Sequence, residues 1–233
     1  MQTSDLAGIA EELKGMTPLQ LQAIATAALV EAAKPASRGS RAEFMKYRSL
    51  LEPEVMKKVD AGKLQVIDYT IITVVKIANG AGKKVIRLFE PQLIRKVGLQ
   101  TLNNSKTEKD FNMIISEIGI NAAVVTAAGS EATDAEILAG NFQSIEAIPS
   151  LRNGFLKLWA NDRIIFKDKP LDDFYLLNTG VSQPEKGLVT LDNPKFLYAN
   201  EELQGEVEML DSTGVANHTY IKFKLKGSAT IPK

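Results

Sequence analysis

The sequence predicts a mainly β chain, an antiparallel β-sandwich over residues 62–233 preceded by an α-helical arm over residues 1–61. Three observations carry this. The first sixty residues place apolar side chains at helical spacing between cap and stop signals. From Gly62 the character changes to runs rich in Val, Ile, Thr and Tyr. Those runs are short and broken by turn residues, which is the pattern of a sandwich or barrel and not of a parallel sheet.

Within the arm, Ser4 caps a segment that puts Leu6, Ile9, Ala10 and Leu13 on one face and stops at Gly15. Thr17 then caps a helix with Pro18 at its first position. That helix runs to about Ala33, with an apolar stripe of Leu21, Ile24, Ala25, Ala28 and Leu29. Pro35, Ser37 and Gly39 break it. Ser40 and Glu43 fit a capping box ahead of a stripe of Phe44, Tyr47 and Leu51, and a last helical turn follows Pro53. Short amphipathic helices cannot bury their own stripes, so these must lie on the main domain or on another copy.

Leu64 to Ile77 reads as a strand, Asn79-Gly80 and Gly82 as a turn, and Val85 to Phe89 as the return strand of a hairpin. Gln92 to Leu102 is ambiguous. Asp110 to Ile118 and Ile120 to Ala127 read as two strands, with Gly119 a bulge or kink between them. Ser130 to Ala139 looks helical. Phe155 to Phe166 is a hairpin about Asn161-Asp162, and Pro170-Leu171 with Phe174 pins a connection. Gly187 to Leu191 and Phe196 to Tyr198 are short strands on either side of an Asp192-Asn193-Pro194 turn. Leu203 to Met209 alternates, and a polar loop spans Asp211 to Asn217. Tyr220 to Leu225 alternates strictly, with Tyr220, Lys222 and Lys224 facing one way and Ile221, Phe223 and Leu225 the other.

Composition narrows the function. The 233 residues are 45% hydrophobic and 24% charged, ordinary for a folded domain with a real core. No apolar run approaches bilayer length, and no basic stretch followed by an apolar one marks a signal peptide at the start. With no cysteine, disulfides, thiolate catalysis and Cys-ligated metal are excluded. The 28 basic and 28 acidic residues cancel, against the basic excess of a nucleic-acid binder, so genome contact is expected to be weak or indirect. The local cluster of Lys83, Lys84 and Arg87 reads as a solvated face. Neutrality also leaves little repulsion between identical copies, which permits dense self-packing.

Searches for chemistry return little. Gly80-Ala81-Gly82-Lys83-Lys84 resembles a phosphate loop, but Ile77 stands at the first glycine position and Lys84 at the Mg²⁺-binding hydroxyl, between two strands. A turn is expected there. His218, the only histidine, cannot build a multi-His metal site, and no nucleophile elbow surrounds any serine that it could serve. It reads as an exposed loop residue. Asn217-His218-Thr219 fits a glycosylation sequon, taken as chance in the absence of a secretory signal. The carboxylate pairs Glu11-Glu12, Asp172-Asp173 and Glu201-Glu202 are adjacent in sequence, which on a strand sends the two to opposite faces. Trp159 sits with Phe155 and Phe166 in a hairpin, where a core or interface role is the first expectation and an aromatic ligand platform the second.

The C-terminal region carries a resemblance. Leu151-Arg152-Asn153-Gly154 leads into Phe155 to Leu158, then Asn161 to Phe166, Pro170-Leu171 and Phe174. Leu191 to Leu197, Glu201 to Glu208, a polar loop, and Tyr220 to Gly227 follow. This succession of strands and turns over about the last eighty residues resembles the jelly-roll capsid proteins of small tailless bacteriophages. The resemblance implies a viral jelly roll, a role in the virion, and assembly in the bacterial cytoplasm without a cofactor. The expected function is thus structural and not enzymatic. The chain would be a major capsid protein whose partners are copies of itself and other virion proteins, with a minor capsid or vertex protein as the close variant. The inter-subunit contacts expected from the arm are Leu21, Ile24, Leu29, Phe44 and Tyr47. Two alternatives stand beside it. One is a carbohydrate- or ligand-binding module of the phage spike or adhesin type, with Trp159 or Tyr175 as platform. The other is a hydrolase with carboxylates from separate strands.

Overall fold

The computed structural model describes residues 41–47, 51–145, 148–174 and 187–233. The expected helices of residues 4–33, and with them Leu21, Ile24 and Leu29, lie outside the described residues. The elements are α1 (Arg41–Lys46), α2 (Pro53–Asp60), β1 (Leu64–Lys76), β2 (Lys84–Arg87), β3 (Met113–Val124), α3 (Asp134–Ala139), β4 (Gln143–Ser144), α4 (Pro149–Arg152), β5 (Phe155–Ala160), β6 (Arg163–Pro170), a 3₁₀ turn (Leu171–Phe174), β7 (Leu188–Leu197), β8 (Leu203–Met209) and β9 (Thr219–Pro232).

The strands form two antiparallel sheets. One runs β1-β9-β3, and β7 and β4 pair in succession with β3 beyond β9; the other runs β2-β8-β5-β6. Apart from β3 to β4 and the β5–β6 hairpin, every step from one strand to the next passes between sheets. The inner faces pack together through one core that includes Ile71, Leu88, Met113, Ile118, Leu156, Leu158, Val207, Phe223 and Leu225. Full burial of each such side chain is worth roughly 1.5–3 kcal/mol. Leu171 and Phe174, the pins expected after β6, are fully buried in the same core.

Strict alternation in β9 sends Ile221, Phe223 and Leu225 into this core and Lys222 and Lys224 outward, as expected. Tyr220 also points outward but is buried, because Leu99, Val125 and Ile137 of a second cluster cover it. Ile137 belongs to α3, which starts at a capping box: Thr133 Oγ1 accepts from Glu136 N, and the Glu136 carboxylate accepts from Thr133 N.

Four expectations are corrected. First, β1 and β2 are not a hairpin. β1 pairs along its whole length with β9, and β2 pairs with β8 in the other sheet. The intervening loop is a crossover, held where Ser212 Oγ donates to the carbonyls of Ala78 and Gly80. The inward residues Ile71, Ile77, Ile86 and Leu88 are apolar on both sides of the loop, so periodicity carries no information about which sheet each strand joins. Second, β3 is one continuous strand through Gly119, and its irregularity falls between Ile115 and Glu117. Gly119 instead makes room for Leu188, whose Cδ1 would lie 3.2 Å from an added Cβ. Third, the Asp192-Asn193-Pro194 turn does not end a strand. β7 runs from Leu188 to Leu197, and residues 191–194 bulge opposite Ser116 alone, between the pairs Glu117–Thr190 and Ile115–Lys195.

Fourth, the compact unit holding the sandwich begins at Gly39, not at residue 62. The reason is local packing. Phe44 and Leu51 are buried against Ile114 of β3, with Met45, Tyr47, Met56, Val66 and Phe196 around them. Tyr47 meets Phe196 edge-to-face at 6.0 Å. Two helices of the expected arm therefore cover the outer surface of their own sandwich.

Candidate functional site

The sheet β2-β8-β5-β6 presents an outer face set by period-2 alternation. From β5 it shows Phe155, Lys157 and Trp159, from β8 Gln204, Glu206 and Glu208, from β2 Val85 and Arg87, and from β6 Ile164. Register aligns these in rows: Phe155, Glu208 and Val85 in one, Lys157, Glu206 and Arg87 in the next, Trp159 and Gln204 in the third. Val85, Phe155 and Ile164 on this face are 50%, 43% and 57% exposed.

A cavity of about 250 Å³ opens at the third row, lined by Trp159, Phe89, Pro91, Arg87, Gln204, Gly205 and Glu206. Gly205 belongs to the inward set of β8, and an added Cβ there would meet Leu158, Phe89 and Leu88 at 3.2–3.3 Å. Its lack of a side chain lets the Phe89 ring close the base, where it packs edge-to-face on Phe223 at 6.0 Å.

Beside this cavity lies a charge cluster. Lys157 Nζ donates to Glu208 at 2.6 Å, Lys83 also pairs with Glu208, and Asp168 stands 3.5 Å from Lys157. Hydrogen bonds from Lys157 and then Lys83 hold the Glu208 carboxyl down at about 2, from an ordinary 4.5. A depressed carboxyl stabilises the fold above its unfolded value and loses that contribution as pH falls through its folded value. Glu208→Gln is therefore expected to be less stable than the parent at neutral pH, and the gap should close between pH 4.5 and about 2. Denaturation midpoints measured across that range check it; a gap independent of pH refutes the assignment.

A second cavity, about 320 Å³, lies at one end of the other sheet, lined by Val74, Leu93, Ile94, Leu99 and Ile137. Its charged lining residues neutralise each other, Lys96 Nζ lying 2.9 Å from Asp134. At its rim Ile94 is 70% exposed, and nearby Val97 and Leu138 are 91% and 51% exposed. Leu138 lies against Gly98, the residue next to Val97.

The residues singled out in sequence separate as follows. Phe44 is 1% exposed inside its own chain, so a contact between copies through it requires that cluster to open, whereas Tyr47 is half-buried at the edge. The Gly80–Lys84 stretch is part of the crossover loop. His218 is not an exposed loop residue: it is half-buried, with φ +59° and a buried Nδ1 that has no hydrogen-bond partner among the described residues. Three carboxylates of these pairs, Asp172, Asp173 and Glu201, make structural ion pairs. Asp172 meets Arg152 and Asp173 meets Lys169. Glu201 accepts from Arg163 at 2.8 Å and from the Tyr198 backbone N–H at 2.7 Å, tying the hairpin tip to the β7–β8 connection. Glu11, Glu12 and Tyr175 lie outside the described residues. No group of three or more His, Asp or Glu side chains arranged to hold a metal ion occurs among the described residues.

Sequence reasoning singled out Trp159, read Arg87 only as part of a solvated basic face, and did not connect Gln204 or Glu206 with either. The alternation of Leu203 to Met209 does place Gln204, Glu206 and Glu208 on one face; what it lacks is the neighbouring strand. No family model, no curated protein and no solved structure matches the chain.

Proposed function

We propose that the chain is a virion structural protein with a jelly-roll fold, the major capsid protein of an icosahedral phage shell. The observation that carries the proposal is the strand order. With β4 set aside as an insertion between β3 and β5, eight strands remain in the orders β1-β9-β3-β7 and β2-β8-β5-β6. Two interleaved four-stranded sheets of this kind support the jelly-roll reading, an arrangement that capsid proteins share with lectin domains and cupins. The chain's zero formal net charge supports close packing of many copies. The activity is then assembly, with copies joined by repeated small apolar contacts.

The exposed side chains of Ile94, Val97 and Leu138 are the contact surface this reading assigns to the sandwich, and the stripe of Leu21, Ile24 and Leu29 is the one it assigns to the arm. Electron microscopy of the purified full-length protein after size-exclusion chromatography is the test. Closed shells or large rings are expected. The double variant Ile94→Glu/Val97→Glu, and separately a deletion of residues 1–38, should elute as folded small species with no shells. A full-length protein that stays monomeric at high concentration defeats the capsid reading. Shells from the deletion variant defeat the role of the arm alone.

A further inference from the structure

We propose that the cavity lined by Trp159 is a binding site for a single saccharide ring. The proposal stands on this cavity's own chemistry and does not require the capsid reading. The cavity spans three adjacent strands, roughly 10 Å across at ordinary strand spacing. Its volume of about 250 Å³ lies just below the range of drug-sized pockets, which suits one ring and not a large ligand.

Its lining combines an apolar plate with convergent polar groups. Trp159 is half-buried on the outer sheet face and its indole lines the cavity. Around it stand groups with three different hydrogen-bonding characters. The Arg87 guanidinium only donates, the Glu206 carboxylate only accepts, and the Gln204 amide does both. Among the described residues, none of these three side chains has a hydrogen bond or ion pair within the chain. This contrasts with the neighbouring Lys157, Glu208, Lys83 and Asp168, which are all engaged with one another. It contrasts equally with the larger cavity, where Lys96 and Asp134 are paired.

A ligand that satisfies donor-only and acceptor-only groups side by side, while offering an apolar face to an aromatic plate, is a polyol ring. Each hydroxyl both donates and accepts, and the ring's axial C–H groups make the apolar face. A nucleotide would also stack on the indole, but the charged residues that line the cavity, Arg87 and Glu206, sum to zero and offer its phosphate no net positive charge. The carboxylate of Glu206 favours the neutral ligand.

Trp159 is the only tryptophan in the chain, so fluorescence of the full-length protein excited selectively at tryptophan, beyond the absorption of its five tyrosines, reports on this site. The probes are a panel of methyl glycosides of neutral hexoses, pentoses and N-acetylhexosamines, with adenosine monophosphate in parallel. A saturable spectral shift with a dissociation constant of about 1 mM is expected for at least one glycoside. Glu206→Ala and Gln204→Ala, both on the outer face and both retaining the fluorophore, should weaken it by about tenfold or more while leaving the thermal midpoint unchanged. Silence across the glycoside panel overturns the proposal, and a response to the nucleotide alone reassigns the plate to a base. Glycoside binding that is indifferent to both variants moves the site elsewhere and overturns the assignment to this cavity.

Discussion

Gly227→Ala is expected to destabilise the sandwich by about 3 kcal/mol or more. β9 lies between β1 and β3 and pairs with each of them over most of its length. At the irregularity between Ile115 and Glu117 the two backbones come together, and a Cβ on residue 227 would run into the carbonyl oxygen of Ile114, deep inside van der Waals contact, and crowd the Ile115 Cα at 3.2 Å. The obstacles are backbone atoms of a central strand, which cannot swing aside as a side chain would. Relief requires displacing one ladder or the other. Gly62 supplies the control: its φ is +68° and nothing lies within 4 Å of an added Cβ, so Gly62→Ala should cost only about 1–2 kcal/mol of backbone strain. Urea denaturation measures both, with the slope expected to stay constant and the midpoint to move. A Gly227→Ala midpoint equal to the parent's would show that the two strands separate freely, contrary to this account.

Phe44→Ala is expected to destabilise the dilute protein by about 3 kcal/mol, the lower part of the range for removing a buried phenylalanine. The ring is 1% exposed and forms the centre of the cluster that joins α1 to Ile114 of β3, with Val66 and Phe196 beside it. If its apolar surface served contacts between copies instead, the variant would keep the parental midpoint at low concentration and shift only the concentration needed for assembly. The same cluster decides where an arm deletion belongs. A cut at residue 61 removes Phe44, Leu51 and Val55 and bares Ile114, so loss of shells would then be confounded with loss of fold. The cut at residue 38 leaves that cover in place.

The strands whose signals are local were legible. The β5–β6 hairpin has its turn at Asn161, where φ is +49°, and β8 and β9 alternate as their sequences require. The mistaken hairpin at Asn79-Gly80 shows the boundary of that legibility. A turn dipeptide and two apolar runs look the same whether the chain doubles back in one sheet or crosses to the facing one. The choice is made by partners far away, residue 76 pairing with residue 220 and residue 87 with residue 206. Likewise Gly119 drew attention as the break in β3, while the true irregularity depends on Gly227, more than a hundred positions away.

The candidate site divides in the same way. Trp159 was visible as one of the aromatics of a hairpin, with Phe155 and Phe166, and the outward facing of Gln204 and Glu206 was implicit in their spacing. That Arg87, Gln204 and Glu206 gather at Trp159 follows only from the β5-β8-β2 order and its register.

The sequence alone determined that the chain is mainly β, that its last strands are amphipathic, and that helical segments precede the first strand. Those properties arise from side-chain spacing along a few residues, which sets burial before any partner is chosen. Only the tertiary structure decided which strands pair, that two arm helices cover their own sandwich, and which polar groups converge on one cavity. Those are contacts between residues remote in sequence, fixed by the joint packing of both sheets on one core.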